Sequence, residues 1–344
     1  MRRLPIFFLL DVSESMVGQP LNALEEGVGR IVASLQKDPS ALESVYISVI
    51  AFAGKASVIS PLTEIATFYT PRLPIGGGTE LGAALEVLMH EIDTKIVPQT
   101  KSQKGDWRPI VFLITDGEPT SPLELSIKQW QEHYAKRATL VAIGLGHGTN
   151  YAVLEQLTPH VLAYEGSSDE DFRKFVDWIS ASVKSESQKV EHTHSVMELI
   201  NLSKHDTLKK VEQPQRFVEP NTITLTGRCQ TTKRPYLIKY LRAVTVTLLQ
   251  KYDKDERFYL DGIFPISEDY FNWSKPNASK EVKASALQGI PSCPHCGATT
   301  AVASCQCGKI MCIKGEGEAK CPWCDRVLSF EYGEGDFTIQ RGEG

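Results

Sequence analysis

A doubly wound α/β fold with a mostly parallel sheet, Rossmann-like in its layering, is what residues 1–184 predict. Two observations carry that class. Short apolar runs alternate with longer segments of helical period from residue 4 to about 184, the rhythm of βα units. Three of those runs are apolar at consecutive positions, as strands buried on both faces are. The remaining 160 residues break the rhythm and end in a cysteine-crowded stretch, so a small β-rich module and a separate cysteine module are expected there.

The elements follow in order. Strands are predicted at 4–10, 45–52, 110–115 and 140–145, with 55–59 folding back on 45–52 as an antiparallel hairpin. Helices are predicted at 20–35, 80–92, 123–136, 151–157 and 169–183. Residues 185–220 are polar and read as a linker, with 196–202 apolar enough for a connecting helix. The span 221–290 reads as a β-rich module and connector, although 236–249 is long enough to be a helix. Residues 291–344 form the last module.

The chain has 344 residues, which suits two or three domains. It is 42% hydrophobic and 23% charged with a mean hydropathy of -0.19, excluding collagen-like, disordered and membrane-spanning classes. The net charge of -5 is uneven, about -7 over residues 1–186 and +2 beyond. Neither half is a polyanion binder by charge, because such binding rests on lysine and arginine displacing counterions. Met1-Arg2-Arg3 before an apolar run imitates a secretory leader. The run stops after seven residues at Asp11 with no small-residue cleavage site, so it reads as the first strand. With no apolar stretch near the ~20 residues of a membrane helix, a cytoplasmic protein is expected, where clustered thiols bind metal more often than they pair.

Open α/β sheets bind ligands outside the carboxyl ends of their strands. There the first strand ends in Asp11-Val12-Ser13-Glu14-Ser15, and Thr115-Asp116-Gly117-Glu118 closes the strand at 110–115. Gly76-Gly77-Gly78-Thr79 leads into a helix at the same edge. Hydroxyls at Ser13, Ser15 and Thr79 with carboxylates at Asp11 and Asp116 make a hard, all-oxygen, incomplete octahedral set suited to Mg²⁺, with Mn²⁺ or Ca²⁺ as alternatives. Taken singly, Ser15 and Thr79 could be helix N-caps and the glycines a turn. Glu14 and Glu118 read as solvated rim charges. The glycine loop lacks the Gly-Lys-Ser/Thr ending of a phosphate cradle.

Together the three loops resemble the von Willebrand factor A (vWA) fold and its metal-ion-dependent adhesion site over residues 1–183, with all five expected positions present as Asp11, Ser13, Ser15, Thr79 and Asp116. The resemblance implies a non-enzymatic cation site that takes a carboxylate from a protein partner. An enzymatic alternative is a Mg²⁺-dependent phosphatase of the haloacid-dehalogenase kind with Asp11 as nucleophile. That chemistry requires a carboxylic acid two residues on, where this chain has Ser13.

Seven of the eight cysteines fall in the last 52 residues. Cys293-Pro294-His295-Cys296 and Cys321-Pro322-Trp323-Cys324 are two C-P-x-C turns, 24 residues apart, with room between them for a hairpin over 299–313. One tetrahedral zinc on Cys293, Cys296, Cys321 and Cys324, a zinc ribbon, is the preferred reading. Cys305, Cys307 and Cys312 could build a second site with His295 or another group as the fourth ligand, or Cys305 and Cys307 could replace one knuckle. Cys229 reads as a small buried apolar residue, and His192, His194 and His205 receive no role. Lys309, Lys314, Lys320 and Arg326 are offset by acidic neighbours, so a nucleic-acid-binding regulator working through the ribbon is the second reading.

A vWA domain followed by CPHCG, CQCGKIMC and CPWC resembles the TerY group of bacterial tellurite-resistance-associated proteins. That resemblance implies a scaffold role in stress response or phage defence, with a protein kinase and a PP2C-type phosphatase as partners.

Overall fold

The computed structural model describes residues 2–145, 149–164, 169–188, 208–211, 221–242, 257–275, 280–331 and 337–342. The expected helix at 196–202 and His192, His194 and His205 lie outside them. Backbone contacts divide the chain into two compact units that do not follow sequence order. The first holds Met1–Val12, Gln19–Pro74 and Thr79–Val218. The second holds Ser13–Gly18, Ile75–Gly78 and Glu219–Gly344.

The first unit runs β1 (Leu4–Asp11), α1 (Gln19–Leu35), α2 (Pro39–Ser44), β2 (Val45–Phe52), β3 (Ala56–Glu64), α3 (Leu81–Lys95), β4 (Ile110–Thr115), α4 (Glu124–Gln129), β5 (Thr139–Leu145), α5 (Tyr151–Leu157), β6 (Val161–Tyr164), α6 (Asp169–Gln188) and β7 (Leu208–Lys210). The sheet order is β3-β2-β1-β4-β5-β6-β7, parallel from β2 to β6, with β3 and β7 antiparallel at its edges. The order reverses between β1 and β4, which makes their carboxyl ends the switch point where such sheets bind ligands.

Alternation along β1 explains the layering. Phe7 and Leu9 join the core that holds Leu85, Leu88 and Ile92 of α3, while Phe8 points to the other face and stacks on Phe112 at 5.6 Å. Helix α1 buries Leu24, Val28, Ile31 and Leu35, one stripe at three- and four-residue spacing. The helix expected at 123–136 is α4 followed by a π-helical turn, Trp130–Tyr134, closed by Ala135 N–H donating to the Trp130 carbonyl at 2.9 Å. Asp106 ties the amino edge together, accepting from Arg3 at 2.9 and 2.6 Å and from Val97 N–H at 2.8 Å.

The second unit contains β8 (Thr222–Arg228), β9 (Pro235–Arg242), β10 (Phe258–Pro265), α7 (Asp269–Trp273), β11 (Lys280–Lys283), β12 (Leu287–Gln288), β13 (Thr300–Ser304), β14 (Ile310–Ile313), β15 (Gly317–Lys320), β16 (Val327–Phe330) and β17 (Thr338–Arg341). Residues 235–242 are strand, which corrects the helical alternative for the start of that segment; residues 243–256 lie outside the described ones. One six-stranded sheet, β12-β10-β9-β8-β14-β13, takes strands from both 221–290 and 291–344. The join is the parallel pairing of Ile310 and Met311 with Gly227 and Arg228. On β9, Tyr236, Ile238 and Tyr240 face a core that contains four cysteines, whereas Leu237 packs with Val17 and Tyr270 on the opposite face.

Candidate metal centres

The oxygen set is built on strand ends. Asp11 is the last residue of β1 and fully buried, and Thr115, the last of β4, donates its hydroxyl to Asp11 Oδ2 at 2.5 Å. Asp116 follows, half-buried, while Glu118 is exposed as a rim charge should be. Ser13 and Ser15 are buried with their hydroxyls 3.0 Å apart, and Ser13 makes no side-chain cap to the short helical turn it precedes. The glycine loop turns at Gly78, whose φ of +97° is a conformation that side chains rarely adopt.

Thr79 decides between a cap and a ligand. Its backbone is pinned twice, its N–H donating to Thr120 Oγ1 and its carbonyl accepting from Thr120 N–H, both at 3.1 Å. Its hydroxyl is 1% exposed and has no hydrogen-bond partner among the described residues. A buried hydroxyl left without a partner costs about 1 to 3 kcal/mol, so this one is held for something other than the helix that follows. A hard cation at Thr79 would satisfy it, and hydroxyl and carboxylate oxygens of this kind fit a divalent metal.

Glu14 corrects the sequence reading. It is not a solvated rim charge but 1% exposed, accepting hydrogen bonds from Tyr270 and, at 3.1 Å, from Thr224. Burial and the neighbouring Glu14 hold the Tyr270 hydroxyl well above its ordinary pKa. In the same unit the buried Lys239 donates Nζ to the carbonyls of Ser15 at 2.7 Å and Val17 at 3.3 Å. Alternating apolar residues around Lys239 hid this in sequence, because a cation inside LIKYL reads as the wet face of a strand.

The thiolates form two groups and not one. Cys229, Cys293, Cys296 and Cys312 converge in one cluster, and Cys305, Cys307, Cys321 and Cys324 in another, the sulfurs of each all within 4.8 Å of one another. The two C-P-x-C turns thus belong to different clusters, which corrects the single site on Cys293, Cys296, Cys321 and Cys324. His295 belongs to neither, its Nε2 lying 2.9 Å from the Pro235 carbonyl. Cys229 is a cluster member, not a small apolar filler. Its signal in the sequence was arithmetic, since eight cysteines make two complete four-thiolate sites and seven do not.

The geometry suits zinc. A tetrahedron with Zn–S near 2.3 Å has sulfurs about 3.8 Å apart, and Cys296–Cys312 at 3.7 Å, Cys305–Cys324 at 3.6 Å and Cys307–Cys321 at 3.9 Å match it. These are far beyond a disulfide bond. The knuckles are equivalent: Gly297 and Asp325, at φ +71° and +63°, return their N–H groups to the carbonyls of Cys293 and Cys321. Amides of Gln230, Thr232 and Trp323 donate to Cys312, Cys229 and Cys321, orienting the ligands from outside. Burial pushes Cys293 and Cys312 up, and Cys305 up to about 12, whereas burial at Cys229 is outweighed by hydrogen bonds, led by those from Thr232, which lower it to about 6, and the Arg326 amide lowers Cys324 to about 7. Four thiolates are costly in such a pocket unless a dication offsets them.

A model of the von Willebrand factor type A domain matches residues 6–180, and a model of the TerY-C metal binding domain matches residues 219–344. The chain belongs to the von Willebrand factor type A family. Its TerY-C match covers both thiolate clusters. Similar solved structures include proximal thread matrix protein 1 from the mussel byssus, at 20% identity and a TM-score of 0.40 over 52% of this chain and 47% of that one. A form of the same protein described with a zinc-occupied MIDAS motif is 21% identical, with a TM-score of 0.38 over 54% and 46%. The type A domain from Catenulispora acidiphila is 18% identical, with a TM-score of 0.41 over 53% and 43%. This vWA chain thus spans just under half the length of each. A search of curated proteins found no match. No helix among the described residues is long and apolar enough to cross a membrane.

Proposed function

We propose that this vWA protein is a non-enzymatic, metal-dependent scaffold. Asp11, Ser13, Ser15, Thr79 and Asp116 hold a divalent cation, Mg²⁺ by the hardness of the oxygen set. When bound, that ion supplies an electrophilic position for a carboxylate of a partner protein, which an acidic domain would otherwise repel. The chain's own residues do the rest: Thr115 orients Asp11, Thr120 fixes the Thr79 backbone, and Lys239 holds the Ser15 carbonyl. The observation that carries the reading is the buried Thr79 hydroxyl with no protein partner. Zinc on the two thiolate clusters is structural, since four sulfurs leave no open position.

The TerY-like pairing of domains supports a cytoplasmic stress-response setting, tellurite resistance or phage defence, with a protein kinase and a PP2C-type phosphatase as the partners. Co-purification of those two proteins with the full chain tests this. Retention in Mg²⁺ buffer and loss in Mg²⁺-free buffer, or in Ser13→Ala or Asp116→Ala, is the expected result. Retention that ignores both would sink the adhesion reading.

A further inference from the structure

A second concavity lies in the first unit, at the amino ends of β4, β5 and β6. The metal loops are at the carboxyl ends of the same sheet, and strands of six or seven residues put roughly 20 Å between the two edges. The cleft has a volume of about 360 Å³, within the usual range for small-molecule sites. Its floor is the buried Trp130, Leu140 and Leu157, and Arg108 and His160 stand at its mouth.

Two polar groups at the floor are spent. Trp130 Nε1–H donates to the Leu157 carbonyl at 3.0 Å, and the Thr158 hydroxyl donates to the Leu140 carbonyl at 2.6 Å. Arg108 differs. Nη2 donates to the carbonyls of Ala135 and Ala138, both at 2.8 Å, closing the end of the π-helical turn. Nε and Nη1 make no hydrogen bond to a described residue, and no described carboxylate pairs with the guanidinium. A helix-end cap needs one nitrogen of the fork; the rest is a planar donor set beside an apolar floor. An anion at the mouth therefore meets a cation that lacks a counter-charge among the described residues. π-Helical turns, wider and less stable than α-helix, also concentrate at functional sites.

We propose that this cleft binds a small monocarboxylate with an apolar body, the carboxylate on Arg108 and the body against Ala135, Leu140 and Leu157. The site is separate from the metal centre and does not depend on its reading. Ligand-observed saturation-transfer NMR on the full chain tests it, with 3-phenylpropionate and its uncharged amide as probes, in buffer without Mg²⁺ so that the metal loops cannot capture the carboxylate.

Saturable binding of the acid is expected, with the amide about tenfold weaker or more, as loss of one charge-assisted pair implies. Arg108→Gln should weaken the acid to the level of the amide. Ala135→Leu, which keeps Arg108 and fills the cleft, should abolish binding of both, with circular dichroism showing each variant folded. Absence of saturable binding at millimolar probe, equal binding of acid and amide, or indifference to both Arg108→Gln and Ala135→Leu overturns the proposal.

Discussion

At the scale of single residues, Thr79 allows an experiment in which two readouts move in opposite directions. Its hydroxyl is buried and satisfied by nothing in the protein, so Thr79→Val removes an unmet polar group while keeping the shape. Without added metal the variant should melt no lower than the parent and up to about 1 kcal/mol higher. With Mg²⁺ at a hundred times its dissociation constant the parent should gain about 2.7 kcal/mol and the variant should not. Thermal melts with and without Mg²⁺ check both, and an unchanged Mg²⁺ response in the variant removes Thr79 from the site. Cys229 is the corresponding residue for zinc. Native mass spectrometry should find two zinc ions per parent chain and one in Cys229→Ser, because three thiolates and a hydroxyl hold the ion far more weakly. The five candidate metal-loop residues stand out in the sequence because they come as contiguous motifs, and the structure sets Asp11 at the end of β1 and Asp116 just past β4. Cys229 does not stand out, since its partners are 64 or more residues away in sequence and only the pairing of β14 with β8 brings them together.

Between elements, a small charged cluster joins α3 to the π-helical turn. Asp93 accepts from the Tyr134 hydroxyl at 2.5 Å and from Arg137 at 2.7 Å, and the Arg137 guanidinium lies 4.9 Å over the Tyr134 ring. The Tyr134 hydrogen bond, with Arg137 behind it, holds the Asp93 carboxyl below its ordinary value of 3.8, and the same bond raises Tyr134. A depressed carboxylate stabilises fully above its unfolded pKa and loses that contribution as pH falls through the folded one. A raised tyrosine stabilises below about 10 and loses its contribution as pH climbs through the raised value. Asp93→Asn should therefore lower Tm at neutral pH by the equivalent of about 1 kcal/mol or less, the pair being half exposed. The gap to the parent should close below about pH 4. A gap that persists at acid pH contradicts the assignment. Element prediction succeeded where burial was two-sided, as in β1, β4 and β5, and failed where the signal is short or non-local. Helix α2 is six residues, too few to show a period, although Asp38 caps it by accepting from Ser40 and Ala41 N–H. Strand β7 is Leu-Lys-Lys, whose identity comes only from the edge of β6.

For the molecule as a whole, the thiolate clusters and the oxygen site divide the consequences of metal removal. The first cluster draws Cys229 from the end of β8, Cys293 and Cys296 from the knuckle ahead of β13, and Cys312 from β14, so it staples strands of one sheet. The second ties the β13–β14 turn to the knuckle ahead of β16. Structural zinc contributes about 10 to 16 kcal/mol of apparent binding energy, comparable to a whole domain's usual net stability of about 5 to 15. The β-sheet of the first unit carries no thiolate and rests on an apolar core that includes Phe7, Leu9, Val111 and Leu113. Chelation by a zinc-selective, Mg²⁺-indifferent reagent should therefore strip amide-exchange protection from β8, β9, β10, β13 and β14 while leaving β1, β4 and β5 protected. Mg²⁺ omission should leave protection in both units. Hydrogen exchange read by mass spectrometry separates these outcomes. Joint loss across both sheets on zinc removal would show one cooperative fold in place of two, and retention of β8 and β14 would show that the thiolates do not hold the sheet.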